Sequence, residues 1–386
     1  MSNTTMEETQ QFASKKIKLM NQIDYDAADS GVKDKYAEIT RRRLQAIYDK
    51  GCDGNRYQPM HKLPFKSMHK FYLHLTYNCP LRCPFCSAEG GERRSEELKA
   101  EQYYNIIVDA IDAGFAEIVL TGGEPLIYKE LDELLLLLKC LDRKASKLTL
   151  RSSFAFAITE ARMQEIAELF DYVAISIDGD ETRHDSIRGK GSFAKTLANI
   201  HRLQSYKSCK LDISAVMEME LFEGEQGAFV KAISKELGAA RVLISYPKPM
   251  GRGKNIEAKP YLWRWPYSDS FFPTMRYRCD IGHRMHVEPN GDAYPCYTIC
   301  SQGHFLGNLT QIKVADIIHS NKFLGYCDIG VDTNEKCKNC EVRYLCGGMC
   351  QIHIQDENNV NSGNFFCDHK QELLDYLVEA GVTLRK

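Results

Sequence analysis

The sequence predicts an α/β protein: a partial (β/α)6 TIM-like barrel with a helical N-terminal extension and a loop-rich, cysteine-rich C-terminal domain. Three observations predict it. Short apolar runs alternate with helical periods six times between Phe71 and Tyr246, and strands spaced by helices in this way pair in parallel with the helices outside. Six units are fewer than the eight that close a barrel, and ligands of such folds sit at the C-terminal strand ends. After Tyr246 the periodicity stops and Pro, Gly, Trp and Cys punctuate the chain, a composition that needs staples to hold a fold.

In chain order, residues 1–68 are polar, with a helical stretch from Tyr36 to Lys50 and breakers at Gly51, Gly54, Pro59 and Pro64. Strands are expected at Phe71–Tyr77, Glu117–Thr121, Lys147–Arg151, Tyr172–Ile177, Leu211–Val216 and Arg241–Tyr246. Helices fall between them at Glu96–Ala113, Lys129–Leu141, Thr159–Phe170, Ser192–Leu203 and Glu225–Leu237. A hairpin is expected around Asn290-Gly291 within Met285–Tyr294, because that pair tolerates positive φ at both central positions. A last helix is expected near His369–Ala380. The expected organisation is an extension over 1–68, a barrel over 69–265, a cysteine-rich domain over 266–370 and a terminal helix over 371–386.

Composition narrows the function. The 386 residues are 44% hydrophobic and 26% charged, which excludes disorder. Lys plus Arg at 50 against Asp plus Glu at 52 leaves no basic field for nucleic acid or an anionic membrane. No apolar run reaches the roughly 18 residues of a membrane span, and Met1 to Gln11 is polar. The expectation is a soluble, cytoplasmic protein without nucleic-acid or membrane partners. Fifteen cysteines with no export signal point to metal rather than disulfides.

Directly after the first strand stands Cys79-Pro-Leu-Arg-Cys83-Pro-Phe-Cys86. Three thiolates can hold three corners of a cubane iron-sulfur cluster and leave the fourth iron open. A structural zinc knuckle is the alternative, but such sites close with four ligands and no fourth Cys or His follows nearby. At the end of the second strand come Thr121, Gly122, Gly123, Glu124 and Pro125, two glycines for close backbone approach and an acid able to accept from a cationic amine. Strand four ends in Ser176-Ile-Asp178-Gly179, followed by His184, Asp185 and Arg188. Helix capping or surface pairing by Asp178 and Arg188 is the plainer reading of that segment. The loop Met250-Gly251-Arg252-Gly253 lacks the full spacing of a P-loop and reads as a flexible mouth loop.

These motifs resemble the radical S-adenosylmethionine (SAM) enzymes, whose signature Cys-x3-Cys-x2-Cys follows the first barrel strand; Phe85 is part of the match. The resemblance implies that the open iron chelates SAM and that an electron from the cluster cleaves it to a 5'-deoxyadenosyl radical, which abstracts hydrogen from substrate. It implies catalytic and cluster-binding roles for Cys79, Cys83 and Cys86. It further implies SAM contacts for Gly122, Gly123, Glu124 and Pro125 (amino group), Ser176 (ribose) and Arg188 (carboxylate), and an electron donor such as flavodoxin or ferredoxin.

The C-terminal cysteines follow a longer pattern: Cys279, Gly291 and Cys296, then Cys337-x2-Cys340-x5-Cys346-x3-Cys350, then Cys367. Locally this suits a pair of zinc sites as well as iron-sulfur clusters. It resembles the SPASM extension behind many radical SAM barrels, with two auxiliary 4Fe-4S clusters. That resemblance implies Cys279, Cys296 and Cys350 for the first, and Cys337, Cys340, Cys346 and Cys367 for the second. Fuller relatives carry a further cysteine where this chain has Pro273. Either Cys300 supplies the missing bond or the first auxiliary cluster keeps an open iron for substrate. Of the remaining cysteines, Cys140 is expected in the core.

Both resemblances together cover roughly two thirds of the chain. They imply an enzyme that modifies a ribosomally made peptide, by thioether or carbon-carbon crosslinking or by epimerisation. Sulfatase maturation is disfavoured because Tyr297, not an aspartate, follows Cys296. Cofactor biosynthesis on a small molecule is the alternative, and a noncatalytic metal or electron carrier is the third reading.

Overall fold

The protein is described from a computed structural model over residues 30–52, 68–93, 96–245, 247–248, 250–256, 281–300, 302–327, 330–334, 337–348, 367 and 370–385. Six strands lie side by side in sequence order, each parallel to the next: β1 (Met68–His74), β2 (Phe115–Thr121), β3 (Lys147–Ser152), β4 (Tyr172–Ser176), β5 (Lys210–Val216) and β6 (Arg241–Ser245). Parallel neighbours require crossovers, and the helices Ala100–Asp112, Leu131–Lys139, Glu160–Leu169, Ser192–Ser205 and Glu225–Glu236 supply them. This is the open α/β architecture expected from the strand and helix periods.

Two periodicities build the core. Phe71 and Leu73 alternate along β1 and are fully buried. Along the helix Ala100–Asp112 the residues Tyr103, Ile106, Ile107, Ala110 and Ile111 recur at helical spacing and are buried in the same cluster. The other face of the strands is polar. Glu117 pairs with Lys70 at 3.0 Å, Arg241 pairs with the fully buried Asp212 at 2.6 Å, and the Arg241 guanidinium lies 4.2 Å from the Tyr172 ring centre. Cys140 departs from expectation: it terminates the helix Leu131–Lys139 on the solvent side and is exposed, because Leu131, Leu134, Leu135 and Leu138 take the buried stripe.

The sheet continues beyond β1. The strand β7 (Arg284–Val287) pairs parallel with β1, and β8 (Asp292–Tyr294) and β9 (Gly307–Asn308) follow antiparallel. The expected hairpin is therefore present, with Gly291 at φ +89° in its turn. Its attachment to the β1 edge was not expected; nothing local in either segment encodes that partner.

Apolar packing ties the ends of the chain together. Val314, Ile317 and Phe323 join the barrel core. A second core joins Leu44, Ile47 and Tyr48 of the helix Ser30–Cys52 to Val331, Val342, Tyr344 and Leu345, and to Leu373 and Leu377 of the helix Lys370–Glu379. Among the described residues, no helix is long and apolar enough to cross a membrane.

Candidate active site and auxiliary metal centres

The cysteine loop leaves β1 and is braced by backbone bonds. Cys79 N–H donates to Gly91 O at 2.8 Å, Cys86 N–H to Cys83 O at 3.2 Å, and Gly90 N–H points at Cys86 Sγ at 3.4 Å. Arg82 Nη1 donates to Cys79 O at 2.7 Å. The three thiols are neighbours electrostatically. Burial pushes Cys79 up to about 11, with Glu124, Cys83 and Cys86 adding to the shift. Burial raises Cys83 too, opposed by the Arg188 charge.

The loop that the sequence suggested as a flexible mouth is instead a clasp. Gly251–Gly253 forms a short helical turn against the cysteines. Arg252 donates from Nε to Cys83 O at 2.9 Å and from Nη1 to Gly90 O at 2.7 Å, and its N–H reaches Cys86 O at 3.1 Å. Gly251 has φ +58°, and a Cβ there would stand 2.4 Å from Cys86 O. A Cβ on Gly253 would stand 2.6 Å from Lys248 O and 3.5 Å from Phe85 Cα. No sequence motif announced Arg252.

Gly122 and Gly123 do permit close approach, but the space is taken by the chain itself. A Cβ on Gly122 would lie 2.5 Å from Thr76 O, and one on Gly123 2.4 Å from Asn78 O. Gly123 N–H donates to Thr76 O at 2.6 Å and Glu124 N–H to Asn78 O at 2.8 Å. The end of β2 is thus stitched to the stem of the cysteine loop. The Glu124 carboxylate is buried and accepts from Ser152 Oγ, Ser153 N–H, Ser153 Oγ and Leu126 N–H. Those four donors match the roughly four lone-pair sites of a carboxylate; burial still holds its acidity weaker than usual. Pro125 opens the following helical turn at a position where its missing N–H costs nothing.

Ser176 ends β4, half-buried, opposite Ser214 of β5. Asp178 and Arg188 do pair, not on the surface but inside. Arg188 Nε donates to Asp178 Oδ2 at 2.6 Å, with side-chain exposures of 10% and 0%. Asp178 Oδ1 accepts from Val216 N–H at 2.7 Å. Burial opposes the Arg188 charge, but Asp178 and the Cys83 and Cys79 thiols hold its pKa above the ordinary value. Arg188 therefore lies within electrostatic reach of the cysteine loop. Beside it, His184 is fully buried and pushed down to about 4, first by burial and then by the Arg188 charge.

The auxiliary cysteines are described in part; Cys279 and Cys350 lie outside the described residues. Cys296 follows β8, with Thr298 Oγ1 3.3 Å from its sulfur. Cys300 lies near the Cys296 and Tyr297 carbonyls and the Glu288 carboxylate; burial first, then Glu288, raises its pKa. Lys248 reaches across from the segment after β6 to donate to the Tyr297 hydroxyl. Cys337, Cys340 and Cys346 gather around the second core, and Cys367 is close enough to Cys340 for their charges to interact. Arg343, 2% exposed, fixes this turn through Asp332 at 3.2 Å and Cys340 O at 3.1 Å.

The donor chemistry fits iron-sulfur clusters. Thiols grouped on one short loop, three after β1 and three more in the turn from Cys337 to Cys346, are the ligand type such clusters take.

The fold and the cysteine loop define a class, and comparison agrees. Residues 73–221 match the Radical SAM superfamily and residues 279–341 match the SPASM iron-sulfur cluster-binding domain, so the chain carries both domains. Among curated relatives, it is 29% identical over 191 residues to the sporulation killing factor maturation protein SkfB of Bacillus subtilis, covering 48% of this chain and 43% of that protein. It is 34% identical over 131 residues to the PqqA peptide cyclase of Rhizobium meliloti, covering 32% and 33%. The matched stretches thus span less than half of either relative. The fold resembles SuiB of Streptococcus suis: the SAM-bound structure superposes with TM-score 0.61 at 19% identity, covering 86% of this chain and 81% of SuiB. The structure bound to the precursor peptide SuiA gives 0.60 at 18%, covering 95% and 86%.

Proposed function

We propose that this chain is a radical SAM enzyme that abstracts hydrogen from a peptide substrate. The observation that carries the reading is convergence at one end of the sheet: the Gly122–Pro125 turn after β2 is hydrogen-bonded to the stem of the cysteine loop after β1, and the Arg188 charge beyond β4 acts on Cys83 and Cys79 of that loop. Ligands of parallel α/β sheets bind at that end.

Cys79, Cys83 and Cys86 would hold a 4Fe-4S cluster. Together with SAM, that group supplies a 5'-deoxyadenosyl radical. The chain's own residues prepare the site. Arg252 and Arg82 pin loop carbonyls, which fixes where the three thiolates point. With the Glu124 carboxylate engaged by Ser152 and Ser153, its role is to hold the turn. The carbonyls of Gly122 and Gly123 would then be the groups to accept from the amino group. Arg188 keeps one edge on Asp178, and its terminal nitrogens suit the SAM carboxylate. Ser176 would contact the ribose.

Cys296, with Cys279 and Cys350, would hold the first auxiliary cluster, and Cys337, Cys340, Cys346 and Cys367 the second. The names of the relatives support a peptide substrate: one is a peptide cyclase, one a maturation protein, and SuiB crystallises with its precursor peptide. A flavodoxin or ferredoxin would deliver the electron. The test is anaerobic incubation with reductant, SAM and candidate precursor peptides, read by mass. Loss of two hydrogens indicates crosslinking; unchanged mass with deuterium gained from solvent indicates epimerisation. No deoxyadenosine with any substrate would refute the reading.

A further inference from the structure

Strand pairing assembles a donor set beyond the ten cysteines assigned to clusters, bordered by Cys300, whose thiol hydrogen-bonds the Glu288 carboxylate. Tyr72 of β1 stands opposite His286 of β7, and Leu73 opposite Val287. The ladder ends there, and Glu288 is the next residue after β7 as His74 is the next after Leu73. Side chains alternate along a strand, so His74, His286 and Glu288 share a face. A ring nitrogen of each histidine and one carboxylate oxygen lie within 4.8 Å of one another, the one such group of three among the described residues. The two rings meet edge to face, 4.3 Å between centres, and His286 Nε2 is 2.7 Å from Glu288 Oε1.

His74 Nδ1 is buried and has no hydrogen-bond partner. A buried polar atom left unpaired costs about 1–3 kcal/mol, and an ion or water is the usual explanation. Water would serve the orphan nitrogen alone; it would not account for three donors converging from two paired strands.

We propose that His74, His286 and Glu288 form a binding site for a divalent first-row transition ion of the zinc type, distinct from the cysteine-held clusters. Two imidazoles and one carboxylate are the donors such ions take, with a coordination position left open. Calcium and magnesium want shells of oxygen, which this site lacks. His286 lies within the β1–β7 ladder and Glu288 N–H donates to Asp292 O at 2.9 Å; binding an ion would replace the His286–Glu288 hydrogen bond by two metal bonds. The site borders Tyr297, whose ring centre is 6.3 Å from that of His286, and so adjoins the residue after Cys296.

The test is zinc added to the anaerobic holoenzyme, followed by gel filtration, metal analysis and zinc-edge absorption. The expected result is about one zinc per chain with nitrogen and oxygen donors at about 2.0–2.2 Å. In His286→Ala and in Glu288→Gln, zinc affinity should fall at least about tenfold with iron content unchanged. A sulfur shell near 2.3 Å, no retained zinc, or equal affinity in both variants would overturn the proposal. If His286→Ala loses iron through misfolding, Glu288→Gln decides the affinity and the donor shell of the unmodified protein decides the site.

Discussion

Arg343 Nη1 donates a 2.5 Å hydrogen bond to the carbonyl of Gly51, joining the last turn of the N-terminal helix to the turn between Cys340 and Cys346. The contact is as tight as a backbone allows: a Cβ on Gly51 would stand 1.8 Å from Glu341 O. Gly51→Val must therefore push the helix Ser30–Cys52 away from the cysteine-bearing turn. The expected outcome is loss of roughly 2–4 kcal/mol of local stability and a fall in iron, confined to the second auxiliary set. Iron analysis with electron paramagnetic resonance checks it. Full iron occupancy in the variant would show that the N-terminal helix does not support that centre.

Substituting Cys79, Cys83 or Cys86 by Ala should remove about four of about twelve irons, on the premise of three 4Fe-4S groups, and abolish SAM cleavage. The auxiliary groups should remain, since Cys296 and Cys337 sit against other packing clusters. Arg252→Met makes the finer test. It removes the bonds to Cys83 O and Gly90 O without touching a thiol. Partial loss of the same four irons is expected, checked by iron content before and after dilution. Unchanged occupancy would mean that the clasp is incidental.

Local pattern made much of this legible. Strand and helix periods placed all six parallel strands to within three residues at each end, because burial on alternating or helical faces is written directly into neighbouring residues. The cysteine spacings were readable for the same reason: a loop holding three thiols needs them close in sequence. What escaped was set by partners distant in the chain. Asp178 and Arg188 look like surface residues one at a time, yet they are buried because each neutralises the other. Arg252 sits in a glycine-rich loop with no metal signature and acts through carbonyls. The β1–β7 pairing joins the first strand to a hairpin beyond the sixth, and Gly122 and Gly123 proved to make room for the backbone of Thr76 and Asn78.

Breaking the Asp178–Arg188 pair should be costly on two readouts. Arg188→Met leaves Asp178 fully buried and charged, with only Val216 N–H to satisfy it. Removing one partner of a buried pair typically costs about 3–5 kcal/mol. The double variant Asp178→Asn with Arg188→Met should recover much of that stability, because no lone charge remains. SAM affinity should stay low in both, since the double change does not restore a guanidinium. Recovery of SAM binding along with stability would assign Arg188 a purely structural role. Denaturant unfolding and anaerobic SAM titration separate the two.

His184 makes stability depend on pH in a defined direction. It is fully buried, its Nε2 has no partner, and burial together with the Arg188 charge lowers its pKa from 6.5 to about 4. Between those values the unfolded chain binds a proton that the native protein does not. Stability contributed by the neutral ring is therefore complete above about pH 6.5 and declines as the pH falls toward 4. A shift of about 2.5 units corresponds to at most roughly 3 kcal/mol. Carboxylates and the clusters add acid sensitivity of their own, so the informative quantity is a difference. His184→Gln can keep an acceptor for Asp178 N–H but cannot titrate. From pH 7 to pH 5 it should lose about 1–3 kcal/mol less than the unmodified protein in anaerobic denaturant unfolding. Parallel losses in the two proteins would mean that His184 takes up its proton in the native state as readily as in the unfolded chain.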